Sequence, residues 1–214
     1  MTRVTQPETL VDVETASGPA RIHLRLVDDP VAALVLGHGA GGGIAAKDLL
    51  AATRVALALG VSVALVEQPY RVAGRRSPPR APHLDAAWTA IGAHLQAHEL
   101  PGLPMIVGGR SSGARVACRT ADALAAAGVL CLAFPLQPAA RSTGTQAPTR
   151  LPELDAVRVP VLVVQGARDP FGMPPPGSQR TVVEVAGDHG LKADIAAVGD
   201  AVRTWLTDVV GSLG

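Results

Sequence analysis

A serine framed by glycines, Gly109-Arg110-Ser111-Ser112-Gly113, follows the apolar run Pro104 to Gly108 and precedes an Ala-rich stretch. Between a strand and a helix, G-x-S-x-G makes a sharp turn that lifts the serine oxygen above the sheet, beside the first free N–H groups of the helix. Small residues two positions away on either side are what such a turn needs. The chemistry on offer is nucleophilic attack on an acyl carbonyl, given a base to take the hydroxyl proton. Ser112 is the rival by type, but Arg110 and Ala114 flank it at two residues, so it fits better as an oxyanion N–H donor. The bland alternative is a Gly/Ser loop whose serine caps a helix.

His189, in Val185-Ala186-Gly187-Asp188-His189-Gly190, falls after the last apolar strand pattern and before the last helical one. A neutral imidazole there can accept the proton of Ser111. Asp169, in Gly166-Ala167-Arg168-Asp169-Pro170, ends the preceding strand pattern, where a carboxylate orients the imidazole and stabilises its charged form. The competing readings are a loop histidine capping a helix and an Asp-Pro turn. Asp188 is a rival acid, but its adjacency to His189 suits turn closure or a pair with Lys192. His94 and His98 have metal-ligand spacing without any accompanying cysteine or acid cluster, and no metal or cofactor is expected.

Gly37-His38-Gly39-Ala40-Gly41-Gly42-Gly43 follows the first buried strand. One reading makes it an oxyanion loop, with the N–H of Ala40 working beside that of Ser112 and His38 shaping the turn. The other is dinucleotide binding, because Gly37-x-Gly39-x-x-Gly42 satisfies the fingerprint and Glu67 ends the next strand. That reading leaves Ser111, Asp169 and His189 unexplained, and no phosphate-loop lysine is present. His38, Tyr70, Phe134 and Phe171 are the expected pocket residues. The arginines of Tyr70 to Pro82 either attract a carboxylate-bearing substrate or are simply solvated.

These groups need a frame. Leu10 to Glu14 and Ala20 to Val27 alternate as strands and have no helix between them, which predicts an antiparallel edge. Apolar runs at Ala32–Gly37, Val61–Val66, Pro104–Gly108, Val129–Ala133, Val159–Gln165 and Arg180–Val185 read as core strands. Helical patterns at Ala45–Leu59, His83–His98, Ser112–Ala127 and Ala193–Val210 alternate with them. The expected fold class is α/β: a mostly parallel central sheet with helices on both faces, and one domain over residues 1–214. Tyr70 to Pro82 reads as an exposed irregular loop, and Phe134 to Arg158 is the one cap candidate, so minimal or no cap is expected. Sites in such sheets gather at the carboxyl ends of the strands, where all the candidates fall.

Nearly half the residues are apolar, 19 basic side chains balance 18 acidic ones, and aromatics make up 2%. The core is therefore packed from Ala, Val and Leu, and charge gives no reason to expect nucleic acid. Cys118 and Cys131 read as buried thiols, and neither a signal peptide nor a membrane span is apparent, so a cytoplasmic location is expected. An apolar strip at Val202, Leu206 and Val210 fits either core or the surface of a homo-oligomer.

Taken in order, the motifs Gly37-His38-Gly39-Ala40-Gly41-Gly42, Glu67-Gln68-Pro69-Tyr70, Gly74-Arg75-Arg76, Gly108-Gly109-Arg110-Ser111-Ser112-Gly113, Gln165-Gly166-Ala167-Arg168-Asp169-Pro170-Phe171-Gly172 and Gly187-Asp188-His189-Gly190-Leu191-Lys192 span most of the chain. As a set they resemble the α/β-hydrolase superfamily. The likeness is to the compact branch related to dienelactone hydrolase and to the hydrolase-like domain of nonspecific-lethal-complex and testis-expressed proteins. The resemblance implies a cofactor-free serine hydrolase acting on a small or soluble ester. Dienelactone hydrolases differ in using a cysteine nucleophile, which puts lactone opening in doubt. Members resembling the testis-expressed group also suggest a noncatalytic interaction protein as the alternative.

Overall fold

The computed structural model describes residues 7–138 and 148–213. Eight strands form one sheet: β1 (Thr9–Thr15), β2 (Gly18–Arg25), β3 (Ala32–Gly37), β4 (Val61–Glu67), β5 (Met105–Arg110), β6 (Gly128–Leu132), β7 (Val161–Gly166) and β8 (Arg180–Val185). Their order is β1-β2-β4-β3-β5-β6-β7-β8. β1 pairs antiparallel with β2 and β2 with β4, while every pairing from β4 onward is parallel. The antiparallel edge read from the missing N-terminal helix is therefore present.

The apolar runs are buried on both faces because helices cover both. Ala33 and Val35 of β3 face one cluster with Leu84, Trp88, Ile91 and Leu95 of α3 (Ala81–Ala97) and Ala114 and Ala117 of α4 (Ser112–Thr120). Ala32, Leu34 and Leu36 face the other, with Leu49, Ala52 and Val55 of α1 (Lys47–Ala58) and Val198, Val202 and Leu206 of α6 (Ile195–Gly211). This period-two partition of one strand between two cores is what a doubly covered parallel sheet requires. The strip on α6 is thus core: Val202 and Leu206 are fully buried, and Val210 packs against them.

Three expectations need correction. Tyr70 does not sit in an exposed loop; Pro69–Val72 forms a helical turn, α2, with proline at its first position and Tyr70 buried. The helix after Ser111 ends at Thr120, short of Ala127. Beyond it the chain turns through Ala125 at φ 47°, with Ala126 N–H donating to Ala121 and Ala125 N–H to Asp122. That is a Schellman closure, which reverses the chain toward β6. Strand β7 starts at Val161 because Pro160 supplies only a carbonyl, which accepts from Val129.

Within the cap candidate Phe134–Arg158, residues 139–147 lie outside the described residues; the remainder carries one short helix, α5 (Leu151–Asp155). Among the described residues, no helix is long and apolar enough to cross a membrane.

Candidate active site

The loop after β5 turns within one residue. Ser111 adopts φ 54° and ψ −109°, and its N–H donates to the Leu132 carbonyl at 2.9 Å. A non-glycine residue in that region stores roughly 1–3 kcal/mol of strain, held by its surroundings. Those surroundings are backbone: a Cβ on Gly109 or on Gly113 would meet the Gly37 carbonyl oxygen at 2.4 Å. The glycines on either side of Ser111 thus let the turn press against the end of β3.

The ends of β7 and β8 are laced together in the same way. Ala167 N–H donates to Val185, Arg168 N–H donates to Gly187, and Gly166 lies against the Asp188 carbonyl. His189 and Asp169 meet as a result. His189 Nδ1 lies 2.8 Å from Asp169 Oδ2, and its Nε2 lies 2.9 Å from Ser111 Oγ. A carboxylate only accepts, so Nδ1 carries the proton and the Nε2 lone pair faces the hydroxyl. The Phe171 ring stands edge-on to the imidazole at 4.6 Å.

Asp169 Oδ1 accepts from Phe171 N–H at 2.9 Å, and Oδ2 accepts from Gln165 Nε2 at 2.9 Å. The same nitrogen of Gln165, fully buried in β7, lies 3.0 Å from the Phe134 carbonyl and 2.9 Å from the Gly172 carbonyl, so its two N–H groups are shared among three acceptors. Its part in the site was not anticipated. The signal was a polar side chain inside the run Val161 to Gly166, which an all-apolar strand has no reason to carry. Asp188 is turned away from His189 Nδ1: its Oδ1 accepts from Gly190 N–H and its carbonyl from Leu191 N–H.

Arg110 reaches across the site. Its Nε pairs with Asp48 Oδ2 at 2.9 Å, and its Nη2 donates to the His189 carbonyl at 2.8 Å. Asp48, in the first turn of α1, is almost fully buried. Desolvation pushes its carboxyl above the usual range, and the Arg110 charge opposes that shift.

The glycine loop is pinned from β4. Gln68 N–H donates to His38 Nε2 at 3.1 Å, which leaves the proton on Nδ1 to donate to the Gly39 carbonyl at 2.9 Å. Both nitrogens of His38 are engaged, and burial holds the ring below its ordinary pKa, in its neutral form. Tyr70 Oη donates to the Ala40 carbonyl at 3.0 Å. Ser112 opens α4, so its N–H belongs to the first turn, whose amides have no carbonyl of the helix to bond.

The four residues expected in the pocket differ in their surroundings. His38 and Tyr70 are loop scaffolding, and Phe134 is a fully buried core side chain. Phe171 remains beside the imidazole. The ribose-binding part of the dinucleotide reading also has another partner, since Glu67 Oε2 faces His23 Nε2 at 3.4 Å. Among the described residues, no three His, Cys, Asp or Glu side chains are grouped to hold a metal; His94 contacts Glu99 instead.

The same architecture occurs in solved structures. A serine hydrolase without a lid from Xanthomonas campestris superimposes with a TM-score of 0.74 at 18% identity, covering 95% of both chains. Est1E from Butyrivibrio proteoclasticus, with ferulic acid bound, gives 0.75 at 13% identity over 94% of this chain and 99% of its own. A dienelactone hydrolase from Anabaena variabilis gives 0.72 at 14% identity over 94% and 97%. No curated protein matches the sequence. The family described as alpha/beta hydrolase domain matches residues 30–200. With that match over most of the chain, and the sheet and strand-end loops described above, the chain belongs to the alpha/beta hydrolase domain family.

Proposed function

We propose that this protein is a serine hydrolase that cleaves small or soluble carboxylic esters through an acyl-enzyme. The observation that carries the reading is the continuous chain Ser111 Oγ, His189 Nε2, His189 Nδ1, Asp169 Oδ2, with separations of 2.9 Å and 2.8 Å. His189 takes the Ser111 proton as Oγ attacks the ester carbonyl, and Asp169 stabilises the imidazolium. The N–H groups of Ala40 and Ser112 receive the developing oxyanion. Collapse expels the alcohol, protonated by His189, and leaves Ser111 acylated. A water deprotonated by His189 then attacks, releasing the acid and restoring the serine.

Ser111 is partly exposed and the His189 side chain is 20% exposed, which favours soluble substrates over long acyl chains that need apolar walls. A cavity of about 710 Å³ lies between α4 and α5, but its lining includes none of these residues. Size alone does not make it the reaction site.

Treatment with a fluorophosphonate probe, followed by peptide mass spectrometry, tests the reading. The expected result is an adduct on Ser111 that is absent in Ser111→Ala and reduced about a hundredfold or more in rate in His189→Ala. A folded wild-type protein that takes no label and hydrolyses no p-nitrophenyl ester would overturn it in favour of a noncatalytic hydrolase-fold interaction protein.

A further inference from the structure

The chain has five aromatic side chains, all of them among the described residues. Tyr70, Trp88, Phe134 and Trp205 are buried. Phe171 is the fifth, and it alone is half-buried. Its ring stands edge-on to the His189 imidazole, with centroids 4.6 Å apart and planes inclined at 67°. The one aromatic surface that this protein leaves open to solvent thus touches the proposed base.

The ring is held in place through its own backbone. Phe171 N–H donates to Asp169 Oδ1 at 2.9 Å, and the Phe171 carbonyl accepts from Gln137 N–H at 2.7 Å. Gly172 N–H donates back to the Asp169 carbonyl at 3.0 Å. The turn that presents Asp169 to His189 therefore also presents the ring. A surface fixed in this way before substrate arrives has little ordering cost left to meet on contact. Because these bonds are made by the main chain, a new side chain at position 171 leaves them in place.

The proposed reaction assigns this neighbourhood to one part of an ester. The carbon under attack carries four groups: Ser111 Oγ, the oxyanion, the acyl chain and the alcohol oxygen. The oxyanion turns to the N–H groups of Ala40 and Ser112, and the glycine loop that holds Ala40 follows β3, on one side of β5. The alcohol oxygen must come within reach of His189 Nε2, which returns the proton as the C–O bond breaks. Asp169 and Phe171 follow β7 and His189 follows β8, all on the other side of β5. The substituent on the alcohol oxygen is thus the part of the substrate brought against the imidazole and the ring beside it. Tyr70, the aromatic side chain on the glycine-loop side, is buried, with its hydroxyl on the Ala40 carbonyl.

We propose that Phe171 is the specificity-determining residue for the alcohol half of the substrate, and that the preferred esters are those of aryl-bearing alcohols of the benzyl type. This rests on the esterase reading above. The substrate ring packs offset or edge-on against Phe171, an arrangement that ring quadrupoles favour over contact with a saturated ring of the same size.

The test compares benzyl acetate with cyclohexylmethyl acetate, which form the same acetyl-enzyme and release alcohols of comparable acidity. Wild type is expected to show a kcat/KM about fivefold higher for the benzyl ester. Phe171→Leu is expected to bring that ratio near unity, and Phe171→Tyr to keep it. A ratio near unity in wild type overturns the proposal. So does a ratio that survives in Phe171→Leu while both esters slow equally, since the ring would then only pack against His189. Ethyl phenylacetate and ethyl cyclohexylacetate put the same pair of rings on the acyl half. A preference that Phe171→Leu abolishes there, and not in the acetates, places Phe171 beside the acyl chain and equally overturns the proposal. If neither these esters nor a p-nitrophenyl ester is cleaved, the esterase reading falls, and saturation-transfer NMR of benzyl alcohol on the folded protein decides the aryl site separately. Transfer to the ring protons that is lost in Phe171→Leu keeps the site; no transfer, or transfer that the variant leaves unchanged, sinks it.

Discussion

The Arg110 guanidinium donates to the carbonyl of His189 at 2.8 Å, so the side chain beside the proposed nucleophile holds the backbone of the proposed base, 79 residues later. Its other arm pairs with buried Asp48. Three loops from three strands are thereby fixed to one another by a single side chain: the turn after β5, the start of α1 and the loop after β8.

Removing Arg110 leaves Asp48 as an uncompensated buried charge. Arg110→Met is expected to lose about 3 kcal/mol in urea unfolding and to reduce kcat sharply. The double variant with Asp48→Asn is expected to regain much of the stability but little of the activity, because the tie to His189 stays broken. Equal recovery of both quantities would show that Arg110 acts on stability alone.

The conformation of Ser111 makes a second prediction. Ser111→Ala and Ser111→Gly both remove the hydroxyl, but only glycine relieves φ 54° and ψ −109°. Ser111→Gly is expected to be more stable than Ser111→Ala by about 1 kcal/mol, after allowing for the greater chain entropy of glycine. Paired denaturation curves decide it, and an alanine variant of equal stability would refute strain at the turn.

Gln165 is expected to be a positioning residue for Asp169. Gln165→Leu strips a donor from the carboxylate and leaves the Phe134 and Gly172 carbonyls without it, at a cost of about 2 kcal/mol or more. Its kcat should fall about tenfold with KM little changed. Gln165→Glu should be worse, since it sets a second carboxylate against Asp169. A change confined to KM would contradict this role.

His38 links stability to acid. Its folded-state pKa lies below the ordinary 6.5, so as pH falls from there the unfolded chain takes up the proton first. Stability contributed by neutral His38 is therefore present above about pH 6.5 and lost as pH falls toward the lower folded value, with a slope approaching about 1.4 kcal/mol per pH unit. His38→Gln should flatten that part of the pH–stability curve. Matching slopes in the two proteins would mean that His38 is not held neutral.

Much of this was legible in the chain itself. Apolar runs of strand length separated by amphipathic stretches call for a parallel sheet covered on both faces, an arrangement that buries both the runs and the helix stripes. The missing helix between the first two strands dictates the antiparallel edge. Ser111, Asp169 and His189 were marked by small or turn-forming neighbours at strand ends, a local signal. Gln165 was visible only as an anomaly, a polar residue in a buried strand.

What the tertiary structure decided is how distant segments meet. Nothing near Arg110 in sequence says that its partners are Asp48 and His189, because that depends on β5 lying between the ends of β3 and β8. Tyr70 and His38 looked like pocket residues by type, yet they brace the glycine loop, since β4 places Tyr70 under Ala40 and the backbone of Gln68 against His38. Phe134 had the right chemistry for a pocket wall and was claimed by the core instead. Strand order, and with it which side chains face one another across the sheet edge, comes from packing long-range surfaces together; local pattern fixes each element and its ends but carries no record of its neighbours.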